Sequence, residues 1–382
     1  MKPLRQKIEQ EIRDHGPIPF SRYMELCLYH PELGYYSRNA QQFGKAGDFY
    51  TSSDVHAVFG RLLARQFDEM WRTLDSRECI ELVELGPGRG LFAQDVLGWS
   101  EKKFPDFFRS LHYVLVETSH ALRNRIKETL GCHLESGKAE LAPSNPLDEA
   151  STNNTILFAN EFFDALPVEI LSAKGSLRID ARDGRFIETW AQLSPEELEF
   201  LDRYSIHPEP DERIEASLAA QRSMEQIAAS LQRGFLIAID YGYTREEQLA
   251  GRHRGTLKAI RKHSISENPY EAPGEQDITA DVNFTALAAA AEKHGMQPYK
   301  LLTQSQFLMG IGEADQFADA FEECRLPQER AKVALQLKHL VTPAGMGESF
   351  QVLIASKEVE QEKIESLSGL GFEHRANRGT NA

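Results

Sequence analysis

The sequence predicts an α/β fold built on a doubly wound, mostly parallel sheet. Continuous apolar runs, which are typical of parallel strands buried on both faces, occur at Thr155–Ala159 and Phe235–Ile239. A third apolar strand, Cys79–Leu85, precedes a glycine-rich turn, and segments with helical spacing separate the runs. Strands that alternate with helices indicate a doubly wound sheet, which a final strand at Phe350–Ser356 completes in antiparallel orientation.

Length and charge narrow the class of protein. With 382 residues the chain exceeds one average domain, which favours a core domain with an elaborated second part. The formal net charge of -15 argues against a nucleic-acid binder, because such binding depends on neutralisation of phosphates by basic side chains. A protein or a small-molecule substrate fits this charge better.

The cysteines and histidines do not form a recognisable metal motif. Cys27, Cys79, Cys132 and Cys324 form no C-x-x-C pair, and the twelve histidines include no H-x-H or H-E-x-x-H. We therefore expect neither a metal nor a disulfide, and a reducing compartment. No apolar run reaches 18 residues and the first residues lack an apolar signal segment, so neither membrane insertion nor secretion is expected.

The N-terminal part is predicted to be helical with one long loop. Residues 1–15 form a short helix, and Ser21 is placed to cap a second helix that ends near Tyr29. The loop Phe43–Asp54 is rich in glycine and aromatic residues, a composition typical of functional loops. Apolar residues at helical spacing then predict an amphipathic helix over 55–74.

The glycine-rich turn joins the first strand to a helix that begins at Leu91. Gly86, Gly88 and Gly90 allow the backbone to approach a ligand, and the helix offers unpaired N–H groups. The pattern is E-x-G-x-G-x-G from Glu84, which is neither the G-x-G-x-x-G of dinucleotide sites nor a P-loop. We expect a nucleotide-containing ligand without a triphosphate here; an ordinary strand-to-helix turn is the alternative.

The second element of such a site is an acid at the end of the next strand, where it can accept hydrogen bonds from ribose hydroxyls. The strand Tyr113–Val116 is followed by Glu117, which we predict to bind the ribose. A solvated acid at a strand end is the alternative. The next helix is expected over Ala121–Leu130.

A second polar group follows the central strand at Thr155–Ala159. The run Asn160-Glu161-Phe162-Phe163-Asp164 lies past the carboxyl end of a strand, where open α/β sheets build their sites. Beyond it, a strand at 168–171 and a hairpin turned by Asp183-Gly184 are predicted to form an insertion outside the parallel sheet.

The C-terminal half continues the alternation. A long helix is predicted over 212–232, before the strand Phe235–Asp240. A loop of about thirty residues follows, and it is expected to act as a lid or to be a solvated surface excursion. The remaining predicted elements are a helix over 284–294 capped by Asn283, a strand at 299–303, helices within 315–340 and a polar tail from 358.

Taken in order, these motifs resemble those of one family. The E-x-G-x-G-x-G turn resembles motif I of the Rossmann-like S-adenosylmethionine (SAM) methyltransferases, and the chain from Gly16 to Phe350 resembles the MidA/NDUFAF7 family, also described as DUF185. It departs from that family at Ser53-Asp54, where Pro-Glu is expected, and at Arg89, where lysine is common. The matching segments are Tyr23-Met24, His30-Pro31, Gly34-Tyr35-Tyr36, Gly47-Asp48-Phe49, Thr51-Ser52, Glu84 to Gly90, Asn160 to Pro167, Ile239 to Gly242 and Asp277 to Phe284.

The resemblance implies a Rossmann-like methyltransferase sheet and the cofactor S-adenosyl-L-methionine. We expect an N-terminal helical segment over the active site at 1–75, a core at 76–357 and a polar tail at 358–382. Inserts into the core are expected at about 167–211, 243–280 and 305–345. The predicted cofactor-binding residues are Asp48, Thr51, Glu84, Gly86, Pro87, Gly88, Gly90, Glu117 and Asn160.

The resemblance further implies a protein arginine N-methyltransferase, because the mitochondrial member of the family methylates an arginine of a complex I subunit. The predicted catalytic residues agree with a cationic acceptor. Glu161 and Asp164, beside Asn160, place two carboxylates at the presumed methyl site, and a guanidinium stays charged in water. A helix-terminus interaction is the alternative for this pair. The alternative functions are a small-molecule methyltransferase and an assembly or scaffold protein that binds SAM without turnover.

Other candidates are less specific. Asp48, Asp240 and Asp277 are conceivable general bases. The lack of a transit segment leads us to expect a cytoplasmic, bacterial member of the family. Aromatic rings that could attract a sulfonium are Tyr35, Tyr36, Phe49, Tyr50, Phe162 and Phe163.

Overall fold

The computed structural model describes residues 4–37, 57–75, 79–142, 154–261, 264–266 and 268–371 of the chain. The predicted loop Phe43–Asp54, with Asp48, Phe49, Tyr50 and Thr51, lies outside the described residues. The polar tail is described as far as Gly371.

The described strands are, in chain order, β1 (Ile18–Pro19), β2 (Ile80–Leu85), β3 (Leu111–Val116), β4 (Ala139–Leu141), β5 (Asn154–Asn160), β6 (Glu169–Ser172), β7 (Gly175–Arg182), β8 (Arg185–Ala191), β9 (Ile214–Ala216), β10 (Arg233–Tyr243), β11 (Lys258–Arg261), β12 (Ser264–Ser266), β13 (Asp277–Thr279), β14 (Val282–Asn283), β15 (Gln297–Pro298), β16 (Leu302–Thr303) and β17 (Phe350–Lys357).

The described helices are α1 (Leu4–His15), α2 (Phe20–Tyr29), α3 (Ala57–Thr73), α4 (Leu91–Lys103), α5 (Pro105–Ser110), α6 (His120–Glu135), α7 (Pro195–Tyr204), α8 (Leu218–Ser230), α9 (Arg245–Leu249), α10 (Phe284–Glu292), α11 (Gln304–Glu313), α12 (Ala318–Phe321), α13 (Pro327–Val341) and α14 (Gln361–Glu365), with 3-10 turns at Tyr35–Ser37 and Ser368–Leu370. None of the helices in these ranges is long and apolar enough to cross a membrane.

The main sheet has the strand order β15-β17-β10-β5-β2-β3-β4, with β14 beside β10 and β16 beside β17. Strands β4, β3, β2, β5 and β10 run parallel, and β17 pairs antiparallel with β10. Residues 156–159 and 235–239 are almost completely buried, because helices cover both faces of these strands. The predicted mostly parallel sheet with an antiparallel last strand is confirmed.

The direction of winding reverses between β2 and β5. The chain proceeds from β2 to β3 and β4 on one side, and from β5 to β10 and β17 on the other. At such a switch point, the loops that leave the carboxyl ends of the two central strands diverge and leave a crevice. The loops that follow Leu85 and Asn160 flank this crevice.

A second hydrophobic core lies beside the main sheet. It is built from α1, α2, the sheet β1-β7-β6-β9 with β8 on β7, and the small sheet β12-β11-β13. Phe20, Tyr23, Leu177, Ile179 and Ile278 are buried together in it. The predicted hairpin is confirmed, since β7 and β8 are joined by Asp183 and Gly184, both with positive φ, as a tight hairpin turn requires. The domain boundaries at 75 and 357 stay predictions; Ile364 and Leu367, beyond the second, are buried against the main core.

Several predicted elements were wrong in detail. The predicted helix over 212–232 begins as β9, which pairs with β6, so only Leu218–Ser230 is helical. The loop after β10 is not structureless, because it contains α9 and the strands β11 to β13. Ser21 does not cap α2, and its hydroxyl donates to Glu169 at 2.5 Å instead. The predicted strand at 299–303 is reduced to β16, and α11 was not predicted.

Gly234 tests the packing of the two central strands. A Cβ at this position would lie 1.8 Å from the carbonyl oxygen of Thr155 on β5, at a φ of +143°. We expect Gly234→Ala to lower the free energy of unfolding by about 3 kcal/mol, through overpacking and backbone strain. The control is Gly98→Ala, on the exposed face of α4, where an added Cβ would have no atom within 4 Å. In this variant the free energy of unfolding should rise by about 0.5–1 kcal/mol. Urea denaturation measures both, and equal stability of the two variants would contradict this packing.

Candidate active site

A cavity of about 560 Å³ lies in the crevice beside the switch point, a size typical of small-molecule sites. It brings together most of the residues that the sequence singled out. Gly90 does not line it, and Asp48 and Thr51 lie outside the described residues. The predicted residues that line it are Glu84, Gly86, Pro87, Gly88, Glu117, Asn160, Glu161 and Asp164.

The glycine turn forms one wall of this cavity. Gly86, Gly88 and Gly90 all have positive φ, at +66°, +54° and +76°, which L side chains rarely adopt. A Cβ on Gly86 would lie 3.2 Å from the Phe162 ring, whereas one on Gly88 would meet no atom within 4 Å and would point into open space. Gly88 is therefore the position where the backbone leaves room for a ligand.

Glu117 lies at the end of β3, on the wall next to the turn. The Ser119 N–H donates to its carboxylate at 2.7 Å, and Arg123 donates to its carbonyl oxygen at 2.8 Å. Burial raises the pKa of Glu117 to about 7, although backbone N–H groups, including that of Gly88, oppose the rise. Such an oriented acceptor beside a glycine turn suits a ribose diol.

The environment of Glu84 differs from that of a solvent-exposed acid. It is buried and accepts a hydrogen bond from the Tyr113 hydroxyl at 2.8 Å. Burial raises the pKa of Glu84 to about 8, and the nearby Glu117 carboxylate adds to that rise. Two acids thus lie close together on the wall of the cavity that carries the glycine turn.

The loop after β5 is held by Asp240. Its carboxylate accepts the N–H groups of Phe163 at 2.9 Å, Asp164 at 3.2 Å and Tyr241 at 2.9 Å. Asp240 is fully buried and does not line the cavity, so the structure assigns it a supporting position rather than that of a general base. Burial and the neighbouring Asp164 raise its pKa well above the ordinary value.

Glu161 sits in this loop with a left-handed backbone. Its φ is +52°, which is uncommon for a residue other than glycine, and its N–H donates to Ile239 at 2.9 Å. The side-chain amide of Asn160 donates to the Glu161 carboxylate at 3.1 Å. Strained backbone conformations cluster at active sites, which makes Glu161, a residue of the cavity lining, a candidate functional residue.

Asp164 completes the loop as a buried acid. Burial raises its pKa to about 7, and Asp281 contributes while Lys258 opposes. Its main-chain oxygen accepts the Ala280 N–H at 3.1 Å, which ties the loop to the residue after β13. At neutral pH this carboxyl can therefore both take up and release a proton.

Tyrosines from the N-terminal segment also line the cavity. Tyr29 donates to the carbonyl oxygen of Ala165 at 2.8 Å, and Tyr36 donates to the Asp277 carboxylate at 3.0 Å. The hydroxyl of Ser119 donates to the Tyr36 carbonyl oxygen at 2.6 Å. Of the other aromatic candidates, Tyr35 and Phe162 line the cavity, whereas Phe163 belongs to the core, and Phe49 and Tyr50 lie outside the described residues.

Sequence reasoning did not identify Tyr29, Ser119, Thr279, Ser223 and Gln226 as site residues, although all line the cavity. For Thr279 a signal existed. Alternate residues of a strand share a face, so an acid and a threonine two residues apart in β13 point the same way. Ser223 and Gln226 come from the middle of a helix and carry no such signal.

The cavity is acidic. Its described lining includes the acidic side chains of Glu84, Glu117, Glu161, Asp164 and Asp277, against the single guanidinium of Arg89. Ionised acids in this lining stabilise the positive charge of a sulfonium or an ammonium group.

The strand order, the glycine turn after β2, the acid at the end of β3 and the antiparallel β17 together define a SAM-dependent methyltransferase. The open space at Gly88 and the oriented Glu117 side chain, both on the wall of the cavity, are compatible with such a cofactor. The family model for S-adenosyl-L-methionine-dependent methyltransferases matches residues 62–302, and the chain belongs to this family. The expected fold, enzyme class and cofactor are thereby confirmed.

Similar proteins agree with this assignment. The chain is 29% identical to the protein arginine methyltransferase NDUFAF7 homolog, mitochondrial, of Drosophila melanogaster, over 97% of this chain and 88% of that protein. It is 27% identical to protein arginine methyltransferase NDUFAF7, mitochondrial, of Danio rerio, over 95% and 90%. A crystal structure from Burkholderia thailandensis, bound to S-adenosyl-homocysteine, superposes with a TM-score of 0.80 at 28% identity, over 96% of this chain and 94% of that one.

These relatives confirm the resemblance to the NDUFAF7 family and correct one expectation. The sequence analysis led us to expect a cytoplasmic, bacterial member of the family. That expectation was wrong, because the curated relatives are described as mitochondrial.

A substitution at Gly88 tests the position of the cofactor site. Gly88→Val should abolish binding of S-adenosyl-homocysteine in calorimetric titration, because the side chain would fill the ligand's space. Gly137→Val is the matched control, since Gly137 has a φ of +70°, has no atom within 4 Å and lies outside the cavity. It carries the same backbone strain and should bind normally. Equal binding by both variants would refute this placement of the cofactor.

The raised pKa of Glu117 predicts a pH dependence. The ionised carboxylate is the better acceptor for ribose hydroxyls, so affinity for S-adenosyl-homocysteine should increase by about tenfold from pH 6 to pH 8. In the Glu117→Gln variant the ligand and Glu84 still titrate, but the Glu117 carboxylate is absent, so the part of the pH dependence that comes from Glu117 should disappear. A wild-type pH profile in that variant would contradict the role of Glu117.

Proposed function

We propose that this methyltransferase transfers the methyl group to a guanidinium nitrogen of arginine in a protein. The observation that carries the proposal is the pair Glu161 and Asp164 in an acidic cavity, next to the turn that we assign to the cofactor. A guanidinium is a planar cation with five N–H donors, and carboxylates are its preferred partners. The printed names of the curated relatives, protein arginine methyltransferases, support the same acceptor.

The cofactor side of the site is proposed to follow the motif. Gly86, Pro87 and Gly88 would lie against the methionine part, and Glu117 would hold the ribose. Gly90 is the N-cap of α4, and a Cβ there would lie 3.4 Å from Ile126 and from Leu130, so Gly90 would support the turn rather than contact the cofactor. When bound, SAM supplies an electrophilic methyl group on its sulfonium.

The acceptor nitrogen must be aligned with that methyl group and must lose a proton. We assign orientation to Glu161, which Asn160 holds at 3.1 Å and whose backbone is fixed in a left-handed conformation. Positioning of this kind supplies much of the catalytic effect in a displacement reaction. A carboxylate there also stabilises the positive charge that the guanidinium retains.

Proton removal is assigned to Asp164. As the new N–C bond forms from the nitrogen lone pair, the electron pair of the broken S–C bond stays on sulfur and one N–H proton leaves. Burial raises the pKa of Asp164 to about 7, which suits a group that accepts this proton and then releases it. The product is a methylated guanidinium that is still a cation.

Glu161→Gln tests this assignment. The change removes the charge and keeps the shape, so we expect methyl transfer to fall by about 100-fold or more while binding of S-adenosyl-homocysteine is retained. Transfer of a deuterated methyl group from labelled SAM to an arginine-rich peptide library, read by mass spectrometry, measures activity. The control Glu140→Gln changes an acid on β4 that does not line the cavity and should remain active. Wild-type label found only on residues other than arginine would overturn the proposed acceptor.

A further inference from the structure

Among the acidic residues that line the cavity, the proposed function leaves Glu84 and Asp277 unassigned, and Asp277 is the one that accepts a hydrogen bond from the N-terminal segment. We propose that Asp277 binds the guanidinium of the acceptor and thereby selects a cationic substrate; this inference rests on the proposed arginine acceptor. Asp277 would be a binding and specificity residue, whereas Glu161 and Asp164 act at the reacting nitrogen.

The position of Asp277 follows from the alternation of β13. Asp277 and Thr279 line the cavity, whereas the intervening Ile278 is 1% exposed and packs into the second core. Strand β13 pairs with β11, which further fixes this alternation. The carboxylate is therefore presented to the cavity by a rigid, buried strand and not by a surface loop.

The Asp277 carboxylate is oriented by a tyrosine that is itself held in place. The Tyr36 hydroxyl donates to it at 3.0 Å. The Tyr36 ring lies 5.5 Å from the Tyr29 ring, and its carbonyl oxygen accepts the Ser119 hydroxyl. Burial raises the pKa of Tyr36 well above its ordinary value, so at neutral pH this residue is a neutral donor. It orients the carboxylate without neutralising its charge.

The loop after β5 faces the same tyrosines. Tyr29, Tyr36, Asp164 and Asp277 all line the same cavity, and besides burial both Asp277 and Asp164 raise the pKa of Tyr29 and of Tyr36. The Ala280 N–H donates to the main-chain oxygen of Asp164, so the end of β13 and this loop are joined directly. A guanidinium can engage carboxylates on different edges at once, because its N–H groups point outward in a plane.

A carboxylate from the second core thus lines the same cavity as Glu161 and Asp164 from the main sheet, and in this proposal the acceptor guanidinium lies among them. If Asp277 binds the cation and takes no part in proton transfer, its loss should weaken acceptor binding far more than turnover at saturation. It should also reduce discrimination between a cation and a neutral molecule of the same shape, an effect that a purely structural role would not produce.

Calorimetric titration with small probes tests this directly. With the protein saturated by S-adenosyl-homocysteine, we would titrate Nα-acetyl-arginine amide and its neutral analogue Nα-acetyl-citrulline amide. For Asp277→Asn we expect arginine affinity to fall by roughly 10- to 100-fold, the loss typical of a charge-assisted hydrogen bond, with citrulline affinity little changed. Glu275→Gln is the control: Glu275 pairs with exposed Arg261 outside the cavity, and the variant should bind like the wild type.

The outcomes separate the two proposals. Wild-type protein that binds S-adenosyl-homocysteine but not the arginine probe would overturn both the acceptor and the role of Asp277. Equal arginine affinity in Asp277→Asn and wild type would overturn Asp277 alone. Should Asp277→Asn also lose S-adenosyl-homocysteine binding, Tyr36→Phe decides, because it keeps the carboxylate and removes only its orienting hydrogen bond. Weaker arginine binding by that variant supports the proposal, and unchanged binding overturns it.

Discussion

The pairing of β2 with β5 is the constraint on which the rest of the structure depends. Leu85 lies opposite Ala159 at the carboxyl ends of these strands. Both strands are buried on two faces, so a shift of register by one residue would exchange the side chains of the two cores, for example Phe158 of one and Leu157 of the other. The fixed register places the glycine turn and the Asn160–Asp164 loop side by side at the same edge of the sheet. From there the two loops lead to opposite sides of the sheet.

Hydrogen bonds then fix the conformation of the turn and of the loop at this edge of the sheet. The turn is closed by the Gly86 N–H to Val116 and by the Gly90 N–H to Pro87. On the other side, the Asp240 carboxylate accepts two backbone N–H groups of the loop after β5, those of Phe163 and Asp164. Burying an acid is costly unless it accepts such bonds, which explains why a fully buried carboxyl occurs here. The loop that lines the acidic cavity is therefore held by Asp240, an acid that does not itself line the cavity.

The features that sequence analysis predicted are those whose signals are local. The apolar runs of β5 and β10, the glycine turn and Glu117 each follow from a few consecutive residues. The segment around Ile214 was assigned to a helix because its reason to be extended, pairing with β6 and contact of Glu215 with Thr256, comes from elsewhere in the chain. For the same reason Asp277 could be named only as a conceivable base. The role that we propose for it depends on Tyr36, which lies 241 residues away in sequence.

The separate core beneath β13 and the tyrosines has an evolutionary consequence. Groups that we assign to the cofactor project from the main sheet, whereas Tyr36 and Asp277 project from elements packed around Tyr23 and Ile278. Substitutions in this second core can reshape the acceptor side without disturbing the register of the central strands. Paralogues could therefore exchange one methyl acceptor for another while the nucleoside-binding half stays unchanged, and acceptor choice would diverge faster than cofactor choice.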